Sequence, residues 1–408
     1  MRADLLKITK DLNEKFGMNA LRPAVDLEES LFRSPTGSIS LDISLGGGSP
    51  AGRMIGIAGA YSAAKSALAY HFIAQFQKMY KKEVVWEKYS TEKSKVMREV
   101  ICDAKDKGAK PLTAALIQSE QHSYANDWAQ QIGIDIENLI VVYPKSMEEA
   151  LDIAIALQKS GVDLVVHDSY TAYTPEKIQE KEVGDSVQMG IKPVRFQEYH
   201  GKMQAENNYK DRMGKIPTTV VAVHQLREAI GKMYGPVEYI SGGRSIGFTE
   251  AVEIRLRKGD QIFIGTKTNP EFIGHTVKFK VDKNKTYKPY MTGEFDFYYA
   301  EGGPVGKGQI DNAKELIIEA ILCGIIEMRG SWIYYKGNQI AQGKDTAIEK
   351  IRADKKMFEE IKAEVMIKAF QVDRPDVFAA PGEEIAEEED FEVPVIPVIP
   401  RTKERKKK

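Results

Sequence analysis

An eight-residue segment near the start of the chain has the composition of a loop that binds nucleotide phosphates. It reads Gly59, Ala60, Tyr61, Ser62, Ala63, Ala64, Lys65, Ser66. In such a loop the backbone N–H groups converge on the β-phosphate, the lysine reaches the β- and γ-phosphate oxygens, and the hydroxyl binds Mg²⁺. Lys65 and Ser66 supply the lysine and the hydroxyl, whereas Ala64 replaces the second glycine of the usual pattern. The segment predicts a site for ATP and Mg²⁺.

Three polar side chains at the ends of predicted strands are candidates for the chemistry around that loop. Asp168 follows an apolar run and has the position of a carboxylate in a Mg²⁺ shell. Glu120 has the position of a base for the attacking water, with Glu87 as a rival, and Gln225 that of a sensor of the γ-phosphate. Such side chains at strand ends are also common as ordinary surface residues, so the spacing alone proves neither the role of Glu120 nor that of Gln225.

The elements around the loop have the order of a nucleotide-binding βα unit. The apolar run 54–59 predicts a strand and the residues from Ser66 predict a helix, which argues against an ordinary turn with a chance lysine. Further apolar strands are predicted at 112–120, 163–169 and 218–225. They alternate with helices, of which the one over 147–160 has Ser146 as its N-cap. Continuous apolar strands are typical of a parallel sheet covered on both faces, so the sequence predicts an α/β fold.

The rest of the chain has other patterns. Alternating residues from 252 onward predict antiparallel hairpin strands, and residues 311–370 predict a small helical unit with one strand pair. Helical spacing predicts one helix in the charged segment 81–110, from Val96, Met97, Val100, Ile101 and Ala104, and another at the N-terminus, from Leu5, Ile8 and Leu12.

Composition limits the class of protein. The 408 residues include 58 basic and 59 acidic side chains, and this net charge of −1 argues against indiscriminate binding of polyanions. Two cysteines without a CxxC pair exclude a disulfide scaffold and fit a reducing compartment. No apolar run approaches the roughly 18 residues of a membrane span. We expect a cytoplasmic protein without a membrane partner. Seven of the ten residues 383–392 are acidic, and the tail 373–408 is predicted to be disordered.

A series of fragments in one order carries a family resemblance. They are TGSISLDISLGGG, GRMIGIAGAYSAAKSAL, IQSEQ, GIDIENLIVV, GVDLVVHDS, EVGDSVQMG, HQLREAIGKMYG, SGGRSIGF, VDKNK and GSWIYYKGNQIAQGK. Together they resemble bacterial RecA and its phage relatives over about residues 1–370. The resemblance implies a RecA-type ATPase core with a mostly parallel sheet flanked by helices. It also implies an ATP-dependent recombination protein in the cytoplasm of a bacterium or a phage-infected host.

The resemblance implies a chain of four segments. Residues 1–35 are expected to form an N-terminal oligomerisation arm, 36–305 the ATPase core with an insertion at 81–110, 306–372 a small C-terminal DNA-binding domain, and 373–408 the tail. An exposed amphipathic helix alone would equally cover the core of its own chain, so the role of the arm stays open at this point.

The resemblance also implies roles for single residues. Lys65 and Ser66 correspond to the ligands of phosphate and Mg²⁺, Asp168 to the metal-shell carboxylate, Glu120 to the catalytic glutamate, and Gln225 to the glutamine that reports nucleotide state. Trp128 has the position of a residue that stacks on adenine. Lys283 and Lys285 correspond to lysines that reach the ATP of the neighbouring subunit, so hydrolysis is expected to require assembly.

Two DNA-binding loops are implied at about 182–195 and 226–246. Their candidate contacts with DNA are Met189, Arg195, Arg227, Ile230, Gly242, Gly243 and Arg244. Backbone amides and arginines of this kind hold phosphates without reading bases, and apolar side chains wedge between bases. His224 differs from the family, which has asparagine at this position.

We therefore predict a helical filament on single-stranded DNA that pairs with homologous double-stranded DNA and exchanges strands. The expected partners are both forms of DNA, further copies of the chain, and single-strand-binding or mediator proteins. Two alternatives stay open. One is a DNA-coating filament that has lost ATP turnover, with Ala64 and the insertion as its signature. The other is a helicase-type motor on the same core, against which VDKNK and the GSWIYYKG unit argue.

Overall fold

The structure is a computed structural model that describes residues 3–17, 20–21, 32–87, 95–120, 124–182, 190–228, 238–241, 243–266 and 268–370. Its helices are α1 (Ala3–Phe16), α2 (Ile39–Leu45), α3 (Lys65–Phe76), α4 (Asn126–Ile132), α5 (Met147–Lys159), α6 (Glu176–Gln179), α7 (Ile191–Arg212), α8 (Arg244–Thr249), α9 (Asn312–Leu322), α10 (Lys344–Ala353) and α11 (Lys355–Phe370). Its strands are β1 (Arg33–Ser34), β2 (Ser49–Pro50), β3 (Met54–Gly59), β4 (Tyr80–Glu87), β5 (Lys95–Cys102), β6 (Lys110–Pro111), β7 (Ala114–Gln118), β8 (Leu139–Val142), β9 (Leu164–Asp168), β10 (Thr219–Glu228), β11 (Glu238–Ile240), β12 (Val252–Thr266), β13 (Asn269–Asn284), β14 (Thr292–Tyr298), β15 (Ile326–Arg329), β16 (Trp332–Tyr335) and β17 (Asn338–Gln342).

The central sheet positions the predicted phosphate loop. Its strand order is β14-β13-β12-β3-β10-β9-β7-β8, and β11 pairs with the end of β10. The strands from β12 to β8 run parallel, and β13 and β14 add an antiparallel edge. Parallel strands bring their carboxyl ends to one edge, where ligands of such sheets bind. The predicted α/β fold with its antiparallel hairpins is confirmed.

Both faces of the parallel strands are buried. On one face Leu68 and Phe72 of α3 pack against Ile57 of β3, and on the other Leu151 of α5 and Phe196 of α7 pack together. Coverage on both faces explains the uninterrupted apolar runs of these strands. Among the described helices, none combines the length and the apolar character that crossing a bilayer requires.

The segment 81–110 forms a separate antiparallel sheet with the order β5-β4-β6. The prediction of a helix from the spacing of its apolar residues was wrong, because the pairing of β5 with β4 overrides the local periodicity. The small sheet is anchored to the core: Lys81 forms an ion pair with Asp163 at 2.7 Å, and the Glu99 N–H donates to the Gly214 carbonyl at 2.7 Å. Glu87 therefore lies outside the central sheet, on strand β4.

The C-terminal elements α9 to α11 and β15 to β17 share a core with α2. Leu316 and Ile361 pack in it together with Ile39. Three strands replace the single strand pair that the sequence predicts. Glu315 fixes the junction, because the oxygens of its buried carboxyl group accept the Ser38 hydroxyl at 2.5 Å and the Ile39 N–H at 3.1 Å.

Raising the pH is expected to loosen this junction. Burial raises the pKa of Glu315 to about 8 and that of Asp42 to about 6. The folded protein then keeps protons that the unfolded chain releases near pH 4, so the free energy of unfolding should fall by on the order of 3 kcal/mol from pH 5 to pH 9. Urea unfolding across this range measures the fall, and Glu315→Gln should flatten it. An unchanged slope in that variant would contradict the assignment.

Candidate functional site

The loop 60–64 joins the end of β3 to the first residue of α3. Ser62 and Ala64 have φ values of 58° and 60°, on either side of Ala63, which is not in this region. Such alternation turns successive backbone N–H groups toward one concavity that suits an anion. The N-terminus of a 12-residue helix adds its positive dipole end. The backbone therefore fits a polyphosphate, as the sequence predicts.

Ala64→Gly is expected to stabilise the loop. Alanine at φ 60° has the left-handed conformation that glycine adopts without steric cost, and relief should be worth up to about 1 kcal/mol. Thermal unfolding with and without an ATP analogue measures this. Ala63→Gly is the matched control, because buried Ala63 has no positive φ and should only lose stability. Equal losses in both variants would contradict the strain at Ala64.

Lys65, Ser66 and Asp168 converge beside the loop. The Lys65 ammonium donates to the Ala60 carbonyl at 2.7 Å, and burial lowers the pKa of Lys65 while Asp168 and Glu120 oppose that shift. Burial raises the pKa of Asp168, and a hydrogen bond from the Ser66 hydroxyl opposes this shift. A half-buried cation beside a hydroxyl–carboxylate pair matches the donor set that ATP with Mg²⁺ requires.

Glu120 lies two residues beyond the end of β7, next to β9. The Ser119 N–H donates to the Asp168 carbonyl at 2.9 Å, and the Ser119 hydroxyl accepts the Ser169 N–H at 2.8 Å. These bonds fix the exposed Glu120 beside the metal-shell candidate. The Gln225 amide donates to Glu120 Oε1 at 3.1 Å, so two residues 105 positions apart meet at the carboxyl edge.

Trp128 lies on α4, beside the phosphate-loop helix, and is half-buried. Its ring meets Phe297 edge-on with centroids 6.1 Å apart, and the Lys307 ammonium lies 5.7 Å from its centroid. Sequence reasoning missed Lys307, since no spacing relates it to Trp128. Loop 306–309 is held in place by the His71 ring at 3.0 Å from the Gly308 carbonyl.

Lys283 and Lys285 lie away from the phosphate loop of their own chain. Lys283 of β13 pairs with Glu253 of β12, which in turn pairs with Gly56 of β3. Gly56 precedes Gly59 by three residues, so Lys283 lies two strands away from the phosphate loop and about 10 Å back along the sheet. Its ammonium donates to the Gly247 carbonyl, and that of Lys285 donates to the Phe248 carbonyl at 2.8 Å. Burial and the charge of Lys285 lower the pKa of Lys283. Both lysines are thus held on α8, beyond reach of their own loop.

The structure describes the ends of the two predicted DNA loops, and helices and strands take up part of the residues that were expected to be loop. Helix α7 starts at Ile191, so Arg195 lies on a helix, where it pairs with Glu148 at 3.1 Å and Glu198 at 3.0 Å. The second loop begins and ends in the paired strands β10 and β11, followed by α8. Met189, Ile230 and Gly242 lie outside the described residues, as does the side chain of Arg244.

Lys192 lies at the start of α7, in the first predicted loop, and was missed from the sequence. Its ammonium donates to the Thr171 carbonyl at 3.2 Å. Burial, followed by the like charge of Arg227, lowers the pKa of Lys192. Arg227 is exposed at the end of β10, and Gly243 precedes α8 with φ 96°. Lys192 and Arg227 thus lie close enough for their charges to interact, each near the base of one predicted loop.

Fold and site together define a P-loop nucleotide-binding core with the RecA arrangement of strands. The family model of the RecA N-terminal domain matches residues 4–85 and 81–303, and that of the RecA C-terminal domain matches residues 314–369. Protein RecA of Chloroherpeton thalassium is 34% identical over 361 residues, which cover 87% of each chain. Protein RecA of Thermus aquaticus is 32% identical over 386 residues, or 94% of this chain and 98% of that one. The chain belongs to the RecA family, and it is a recombination protein of that family.

Proposed function

We propose that the chain hydrolyses ATP with Mg²⁺ between neighbouring subunits of a filament on single-stranded DNA and uses that filament for homologous strand exchange. The observation that carries this proposal is the convergence of Lys65, Ser66 and Asp168 with the Glu120–Gln225 pair at one sheet edge. Lys65 would hold the β- and γ-phosphates, Ser66 and Asp168 the metal ion, and Glu120 the attacking water. Trp128 would contact the base.

The hydrogen bond from Gln225 to Glu120 supports a link between nucleotide and DNA. A γ-phosphate would compete for the Gln225 amide, which is the last polar group before the β10–β11 hairpin. Whether this amide binds Glu120 or the γ-phosphate would bias the conformation of the second loop. The proposed DNA contacts of that loop are Arg227, Ile230, Gly242, Gly243 and Arg244. Met189 stays a proposed contact of the first loop. Arg195 is a weaker candidate, since two carboxylates already neutralise it.

The N-terminal helix supports assembly. Leu5 is 42% exposed and Ile8 is 51% exposed, so the apolar stripe of α1 does not cover the core of its own chain in the described residues. An unpaired amphipathic helix of this kind fits a groove on another copy. Residues 1–35 are therefore proposed as the oligomerisation arm. Residues 306–372 are proposed as a DNA-binding domain because of the family resemblance alone. The tail 373–408 lies outside the described residues.

Lys192→Ala is expected to weaken binding of single-stranded DNA independently of sequence. Removing one phosphate contact should reduce the slope of log affinity against log salt by about 0.7. Anisotropy of a labelled oligonucleotide at several salt concentrations measures the slope. Lys159→Ala serves as the control, because exposed Lys159 ends α5 at the opposite edge of the sheet. A slope identical to that of wild type would contradict a phosphate contact at Lys192.

ATP hydrolysis measured with and without single-stranded DNA, together with negative-stain images, tests the whole proposal. We expect DNA-stimulated turnover and open helical filaments, and Lys65→Ala should lose the turnover. A wild-type protein as inert as Lys65→Ala that still coats DNA would favour a filament without turnover. Closed rings would favour a helicase-type motor. A protein that stays monomeric with ATP, Mg²⁺ and DNA would contradict the proposal.

A further inference from the structure

A buried polar pair lies directly beneath the Gln225 end of β10. His224 Nε2 is 2.6 Å from Glu250 Oε1, and both side chains are 0% exposed. Side chains alternate along a strand, so His224 points into the core while Gln225 points to the site edge. Among the described residues, neither His224 Nδ1 nor Glu250 Oε2 has a hydrogen-bond partner. Within the described part of the chain, the mutual bond is therefore the only hydrogen bond of either side chain.

The neighbouring strand makes room for this pair. Gly56 of β3 is paired with Ala222 of β10, and a Cβ atom at Gly56 would lie 2.4 Å from Glu250 Oε1. A strand residue with a side chain would expel the carboxylate. The tight fit holds Glu250 between two strands of the central sheet, so its position is fixed relative to β10.

Glu250 also fixes the end of α8. It directly follows this helix, and its N–H donates to the Ile246 carbonyl at 3.0 Å. The next carbonyls of the helix, those of Gly247 and Phe248, accept the ammonium groups of Lys283 and Lys285. The other end of α8 begins at Arg244, after the N-cap Gly243, within the last residues of the second predicted DNA loop. One short helix thus connects that loop, the lysine pair and the buried pair.

We propose that the His224–Glu250 pair is a positioning device that couples α8, and with it Lys283 and Lys285, to the strand end that carries Gln225. This inference rests on the proposed function, in which Gln225 responds to nucleotide and the two lysines act on a neighbouring subunit. Shifts of the β10 end on nucleotide binding would be passed through the bond to α8. His224 and Glu250 act through other residues and contact neither ATP nor DNA.

The test compares His224→Leu, which removes the bond, with His224→Gln, whose amide can donate to Glu250. Two quantities are measured: the ratio of single-stranded DNA affinities with a non-hydrolysable ATP analogue and with ADP, and the steady-state kinetics of ATP hydrolysis. In His224→Leu the affinity ratio should fall toward one and kcat should fall at least about tenfold with little change in KM. His224→Gln should restore most of both.

A matched control separates positioning from stability. His200→Leu removes another buried bond, that between His200 Nε2 and the Tyr170 hydroxyl at 2.9 Å, without touching Glu250. It should lower the unfolding temperature but keep the affinity ratio. If His224→Leu does not fold, His224→Asn replaces it, because its shorter amide does not reach Glu250.

Two outcomes have distinct meanings. A wild-type ratio and kcat in His224→Leu or His224→Asn would overturn the positioning role and leave the proposed function intact. A wild-type protein whose DNA affinity does not depend on the nucleotide would contradict the proposed function itself.

Discussion

Replacing Glu120 with glutamine should reduce ATP hydrolysis by about 10²- to 10⁴-fold, the range typical for loss of a general base. Glutamine keeps the shape and can still accept the Gln225 amide, but it cannot take a proton from the attacking water. Lys65, Ser66 and Asp168 are unchanged, so ATP should still bind and filaments should still form. Phosphate release in the presence of single-stranded DNA, with binding of a fluorescent ATP analogue, measures both effects.

Glu87→Gln is the matched control for this experiment. From sequence, Glu87 is a rival for the same role, but its strand β4 pairs with β5 and β6 outside the central sheet. Its replacement should leave turnover close to that of wild type. Loss of turnover in Glu87→Gln with full activity in Glu120→Gln would contradict the assignment and the strand register from which it follows.

Lys283→Ala should abolish hydrolysis without unfolding the subunit. The ammonium is anchored on a helix carbonyl and lies about 10 Å back along the sheet from its own phosphate loop, which supports the proposal that it acts on the ATP of another subunit. Loss of a transition-state cation of this kind typically costs 10³- to 10⁵-fold in turnover. Circular dichroism checks folding, and phosphate release checks activity.

Mixing two inactive variants tests the geometry directly. In a head-to-tail interface, Lys283→Ala supplies an intact phosphate loop and Glu120→Gln supplies an intact lysine. A one-to-one mixture should therefore recover about a quarter of wild-type turnover, since one interface in four combines both intact halves. Lys65→Ala is the matched control, because its defect lies in the same half of the interface as that of Glu120→Gln, so a mixture of these two variants should stay inactive. A mixture as inactive as its components would contradict action between subunits.

Several parts of the site were predictable because they are local. The strand, loop and helix around Lys65 follow from one continuous run, and Ser146 caps α5 as its sequence indicates, with its hydroxyl accepting the Glu149 N–H at 3.1 Å. Prediction failed where distant segments compete with local periodicity. Strand β5 has helical spacing but pairs with β4, and Arg195 belongs to α7 rather than to a loop.

The chain order of apolar runs and turn residues already determined the class of fold, the phosphate loop and the candidates for ATP and DNA contact, because each depends on neighbours within a few residues. Tertiary structure alone decided which polar groups meet. It placed Glu120 beside Gln225 and Glu87 on a separate sheet. It also brought Lys307 to Trp128, Lys192 near Arg227, and His224 to Glu250. These contacts join segments far apart in the chain, and strand order and register, which no local pattern encodes, bring them together.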